Sequence, residues 1–155
     1  MRFDAEQFVK LLETNVKANL NAYITQLNTD KGDSLLSTLD SNAFYMQDIK
    51  SSAYNYDPIC LIYVNDITLE EYSFDASINT YEIYLIIGYS EQNDTNNGYR
   101  LLRYQQAIEN YIAANQNKIF RGVKASVTSL NPITIVLNES KQMNAVGVAL
   151  EITIG

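Results

Sequence analysis

Histidine and tryptophan are absent from this chain of 155 residues, and cysteine occurs once, at Cys60. Without histidine there is no Ser-His-Asp or Cys-His catalysis and no His-based zinc site. A single cysteine excludes an internal disulfide and any Cys-x-x-Cys metal or redox pair. Cys60 lies in the apolar run Ile59-Cys60-Leu61-Ile62, where a thiol packs as a small hydrophobe with no imidazole to activate it. The 6 glycines form neither G-x-G-x-x-G nor G-x-x-x-x-G-K-[ST], so the common phosphate-cradling loops are missing. Long hydrophobic runs are missing too: Ile59–Val64 and Tyr84–Tyr89 are the longest, and a membrane span needs roughly twenty residues. The opening Met1-Arg2-Phe3-Asp4-Ala5-Glu6 lacks the apolar stretch of a signal peptide, so folding in a cytoplasm, without a membrane partner, is expected.

What is present fits an ordinary globular chain. Hydrophobic residues make up 46% of it, and its length suits one domain over residues 1–155. Twelve tyrosines point toward interaction, since tyrosine covers much area at low entropic cost and is enriched at protein interfaces.

The periodicity predicts an amphipathic helix over residues 4–28. Phe8, Leu12, Val16, Leu20, Ile24 and Leu27 recur at spacings of three or four, with Leu11 and Tyr23 widening the stripe. Asp4 and Gln7 resemble a capping box, and Gly32 suits a left-handed stop. A short helix is expected over Ser34–Leu39, and an ordered arm or long loop over residues 41–57. From Pro58 the period becomes that of strands, read as Ile59–Asn65, Ile67–Phe74 and Thr80–Ser90, with a turn over Asp75–Asn79. A second helix follows over Tyr99–Asn115, Leu101, Tyr104, Ile108, Tyr111 and Ile112 facing inward and Asp94 or Thr95 as its cap. Strands are then expected over Ile119–Ser129, Ile133–Asn138 and Met143–Ile154. The last places Val146, Val148, Leu150, Ile152 and Ile154 inward and Ala145, Gly147, Ala149, Glu151 and Thr153 outward. The fold class expected is α+β, a mixed, mainly antiparallel sheet packed against an N-terminal helix and a central helix.

Charge is strongly segregated. From Ser51 to Tyr99 there is no lysine or arginine, against Asp57, Asp66, Glu70, Glu71, Asp75, Glu82, Glu91 and Asp94. From Arg100 to Lys124 the balance reverses, with Arg100, Arg103, Lys118, Arg121 and Lys124 against Glu109 alone. One reading is a solvated acidic hairpin beside a helix with basic ends. The other assigns Asp66, Glu70, Glu71, Asp75, Glu82, Arg100, Arg103, Arg121 and Lys124 to a contact between adjacent copies, or to the lumen of the ring that such a head-to-tail contact generates. Catalytic use of the carboxylates is not expected: Glu70 and Glu71 are neighbours on a strand and point to opposite faces. The loops around Asp30–Asp33 and Asp94–Gly98 lack the glycine and distal glutamate of a calcium loop in register. No enzymatic activity, metal or cofactor is therefore expected. A net charge of -7 argues against a phosphate-binding surface.

The long strand Tyr81-Glu82-Ile83-Tyr84-Leu85-Ile86-Ile87-Gly88-Tyr89, the helix opening Gly98-Tyr99-Arg100-Leu101-Leu102-Arg103, the step Asn131-Pro132-Ile133 and the closing strand Ala145–Ile154 follow one another in an order that resembles the tail terminator (tail completion, or neck) proteins of tailed bacteriophages. The likeness is one of layout and size, and covers mostly Pro58–Ile154. It implies a structural virion protein assembled in the host cytoplasm, a homo-oligomeric ring, usually hexameric, on top of the tail tube. Such a ring ends tube growth and joins the tube to the head-closure or neck protein, leaving a lumen through which DNA passes without sequence-specific binding. Another head-tail connector or head-closure subunit, or an interaction adaptor outside phages, would fit the same composition.

Overall fold

The structure, a computed structural model, describes residues 4–48, 55–73, 76–90, 94–138 and 141–154, without the side chains of 69–73, 76–78 and 138. Among the described residues two helices and six strands follow one another as α1 (Ala5–Lys31), β1 (Phe44–Met46), β2 (Ile59–Ser73), β3 (Ala76–Ser90), α2 (Asn97–Ile119), β4 (Lys124–Ser129), β5 (Ile133–Asn138) and β6 (Lys141–Ile154). The fold is α+β, with a mostly antiparallel sheet ordered β1-β2-β3-β6-β4 and β5 also paired to β6. Among the described residues no helix is long and apolar enough to cross a membrane.

Local chemistry sets the ends of α1. Asp4 accepts from the Gln7 N–H (2.8 Å) while the Gln7 side chain accepts from the Asp4 N–H (2.9 Å), so two orphan donors are satisfied reciprocally. Gly32 closes the helix at φ 68°, a left-handed position that costs glycine little. The six residues of the apolar stripe are all buried, but Leu11 is 37% exposed and does not widen it. The helix also runs to Lys31, past the expected end at residue 28.

The expected helix over Ser34–Leu39 does not form, because side chains take up its backbone groups. Asn28 clasps Leu36, its carboxamide accepting from the N–H (3.1 Å) and donating to the carbonyl (2.8 Å). Asn21 does the same for Leu39 (2.7 and 2.8 Å). The Tyr104 hydroxyl bridges the N–H and carbonyl of Ser37 (3.0 and 3.1 Å). These bonds hold the segment extended along the helices. Part of the arm expected over residues 41–57 is strand β1, parallel to β2 with Phe44 opposite Cys60; residues 49–54 lie outside the described residues.

The two strands expected between Ile59 and Phe74 are one, with a bulge between Val64 and Asp66. The bulge keeps Ile67 on the helix-facing side, since Val64 pairs with Ile83 and Ile67 with Tyr81. Of the turn expected over Asp75–Asn79, residues 76–79 are strand instead, β3 starting at Ala76 opposite Ser73, while Asp75 lies outside the described residues. Helix α2 spans Asn97–Ile119, with Asn96 rather than Asp94 or Thr95 as its cap residue. That longer helix takes Ile119, the first residue of the next expected strand, which begins only at Lys124.

Both helices lie over the face carrying Ile83, Leu85, Val148, Leu150 and Ile152, all buried. Phe8 of α1 stacks on Phe120 after α2 at 6.1 Å. Tyr111 donates to Asn15 (2.6 Å), and Asn115 to the Tyr23 hydroxyl (3.1 Å), so the polar groups between the helices are satisfied. The other face is buried in part as well. Ala145 and Gly147, expected to point outward, are covered; on the same face Ile135 of β5 comes close enough that a Cβ added at Gly88 would lie 3.4 Å from its Cδ1.

Candidate assembly surface

Register places the acids of the predicted segment in relation to one another. Asp66 of β2 pairs with Glu82 of β3, Glu82 with Glu151 of β6, and Glu151 with Ser126 of β4. Paired residues in antiparallel strands share a face, so three carboxylates form one row on the side of the sheet that carries no helix. Asp66 and Glu151 are exposed and Glu82 half-buried. Glu82 is held by the Asn65 amide (2.7 Å) and by the Tyr84 hydroxyl, whose pKa is raised above the ordinary tyrosine value by that hydrogen bond first and by burial second. Tyr63 and Tyr84, paired in the next row, have ring centroids 6.4 Å apart. The row on the other side is Thr68, Thr80, Thr153 and Lys124. Glu151 belongs to this row although it lies far outside the acidic stretch; its outward position in the alternation of the last strand was the available signal.

Glu70 and Glu71 are placed by backbone only, opposite Ile78 and Ser77, and Asp75 lies outside the described residues.

The basic residues divide into two kinds. Arg100, 8% exposed, forks onto Asp94 with two bonds of 2.7 Å. Arg103 meets Asp33 at 2.7 Å. Each arginine holds its carboxylate below the usual range, by hydrogen bonding first, aided by the Leu35 N–H at Asp33 and the Asn96 N–H at Asp94. These two guanidiniums are committed within the chain, tying the loops on either side of them to the start of α2. Reversing their charge would therefore test the fold before it tested assembly. Arg121 and Lys124, by contrast, are exposed at the β4 edge of the sheet.

An apolar groove of about 370 Å³ opens between the first turns of α1 and the sheet, with Val9, Met46, Val64, Ile67, Tyr81 and Ile83 along it. Ile67 is 60% exposed at its mouth. Sequence reasoning missed the groove, since no periodicity within a single element reports a space between two. Cys60 is fully buried and its thiol is pushed up to about 12 by burial alone, which makes it a poor nucleophile. Among the described residues no group of His, Cys, Asp or Glu comes together that could hold a metal ion.

Comparison with known proteins finds no family model that matches the chain and no curated protein that is similar to it in sequence.

Proposed function

We propose that this chain is a tail-terminator-like structural protein of a phage virion. Its copies join head to tail in a ring, six being the usual number in the family it resembles. The ring caps the tail tube, ends its growth and joins it to the head-closure or neck protein. The observation that carries the reading is the carboxylate row Asp66, Glu82 and Glu151 on a helix-free sheet face, with exposed Arg121 and Lys124 at one edge of the same sheet. Opposite charges on strands towards the two ends of the sheet, Asp66 on β2 and Arg121 and Lys124 at β4, suit a heterologous contact, which closes when the rotation closes. Turned inward, the acidic face gives a lumen that repels the DNA backbone, so DNA slides without sticking.

The test has two measurements. Native mass of the purified chain is expected to show a closed oligomer, either alone or on addition of tail tubes. Tube protein polymerising in its presence is expected to stop at a capped length. A chain that stays monomeric at high concentration and leaves tube growth untouched refutes the proposal.

A further inference from the structure

Strand β1 covers the edge of β2 only along Cys60–Ile62. One residue further on, Gln47 stands in for a strand: its carboxamide accepts from the Val64 N–H (2.9 Å) and donates to the Val64 carbonyl (3.2 Å). The next outward N–H, that of Ile67, is bonded to the carboxylate of its own neighbour Asp66 (2.8 Å). From Ile67 to Ser73 no strand among the described residues pairs with β2 on this side. At the far side of the sheet β4 is likewise an edge. Unpaired edges are templates for another strand.

Four features match the two edges to each other. Between them the strands β2, β3, β6 and β4 alternate in direction, so copies set head to tail present β4 antiparallel to β2. Val127 pairs with Leu150 and Ile67 with Tyr81, which puts both on the helix-facing side; they are 43% and 60% exposed, beyond the cover of their own helices. The groove lies beside Ile67 and has room for an apolar side chain. Residues 118–138 carry Lys118, Arg121 and Lys124 and no acid, whereas residues 66–73 carry Asp66, Glu70 and Glu71 and no base.

We propose that β4 of one copy adds as an antiparallel strand to β2 of a second copy, with Val127 opposite Ile67 and Lys124 opposite Glu70. This rests on the ring reading and names its contact. The backbone ladder supplies affinity, and the side chains at alternate positions supply register. Pro132, lacking an N–H, ends the added run after β4. Within one chain Val127 shares a row with Val64, so meeting Ile67 staggers each copy along the strands, and a sheet closed on itself requires such a stagger.

A chain carrying Ile67→Cys and Val127→Cys tests the contact. Within one chain the two positions are separated by three strand spacings, about 14 Å, beyond the Cα separation of about 7 Å that a disulfide spans; Cys60 is buried and silent. Mild oxidation is expected to give a ladder of covalent multimers, while either single substitution stops at dimers. Lys124→Glu, which replaces attraction by repulsion, is expected to raise the concentration for half-assembly about three- to tenfold, and Glu70→Lys in the same chain to recover part of it. The charge pair decides the matter should the double-cysteine chain fail to fold by circular dichroism. Assembly of the wild type with no ladder, and with Lys124→Glu assembling normally, overturns this contact and leaves the ring standing. A wild-type chain that remains monomeric, even with tail tubes, overturns both.

Discussion

At Gly147 the demand on a single residue is steric. A Cβ there would fall on the Leu85 carbonyl and lie 2.9 Å from the Ile86 Cα, closer than real side chains come to backbone. The obstacle is a hydrogen-bonded central strand rather than a flexible side chain, so it cannot move aside cheaply. Gly147→Ala is expected to destabilise the chain by about 1–3 kcal/mol or more, as overpacking does, read from the denaturant midpoint. An unchanged midpoint would mean that β3 and β6 are further apart than their register implies. Gly88, whose added Cβ would meet side chains at 3.4 Å, should tolerate alanine better.

Where regular ladders stop, stand-in side chains hold the neighbouring segments in this protein. Asn21, Asn28 and Gln47 each offer a carboxamide that both donates to and accepts from one backbone residue. An amide side chain thus repeats the pairing of a strand where no strand fits. Two ion pairs then fix the start of α2, Arg100 on Asp94 and Arg103 on Asp33. Both carboxylates have folded pKa values below their ordinary ones. Their contribution to stability is therefore fully present above the unfolded value near 3.9 and lost as pH falls through the lower folded values. The thermal midpoint should hold from neutrality to about pH 5 and decline below it, and Arg100→Gln with Arg103→Gln should flatten that decline. Leu150 on β6 faces the helices and is fully buried. Leu150→Ala is expected to cost about 2–5 kcal/mol through lost burial and a residual cavity, and an unaltered chemical-denaturation midpoint would exclude this register for β6.

For the whole molecule the governing feature is the division of the sheet into a helix-covered face and a face bearing acids. If the acidic face lines a lumen, its charge matters to DNA passage and little to ring closure. Glu82→Gln with Glu151→Gln should then leave the native mass of the assembly unchanged. Particles built with that variant should eject DNA more slowly or incompletely, and normal ejection would show that these acids face elsewhere. The contact at the sheet edges depends on charge in the opposite sense. Exposed pairs contribute only about 0–1 kcal/mol each and are screened by salt. Apolar burial and the added ladder would therefore supply affinity, and charge the register.

Local pattern was enough to settle the α+β class, the inward stripes of both helices, the capping box at Asp4 and Gln7, and the inward set of the last strand. Each is a local or periodic property: a residue's neighbours at three, four or two positions decide which side it shows. It also determined that Cys60 is buried, since the apolar run around it leaves no other place. Tertiary structure alone decided that Leu36 to Leu39 stay extended, because the competing partners, Asn21, Asn28 and Tyr104, are remote in sequence. It decided that Arg100 and Arg103, which belong to the basic run by position, spend their charge inside the chain. It brought Glu151 into one row with Glu82 and Asp66, and opened a groove between the first turns of α1 and the sheet. Periodicity reports which face of an element is apolar, whereas pairing and register across distant segments decide what that face meets.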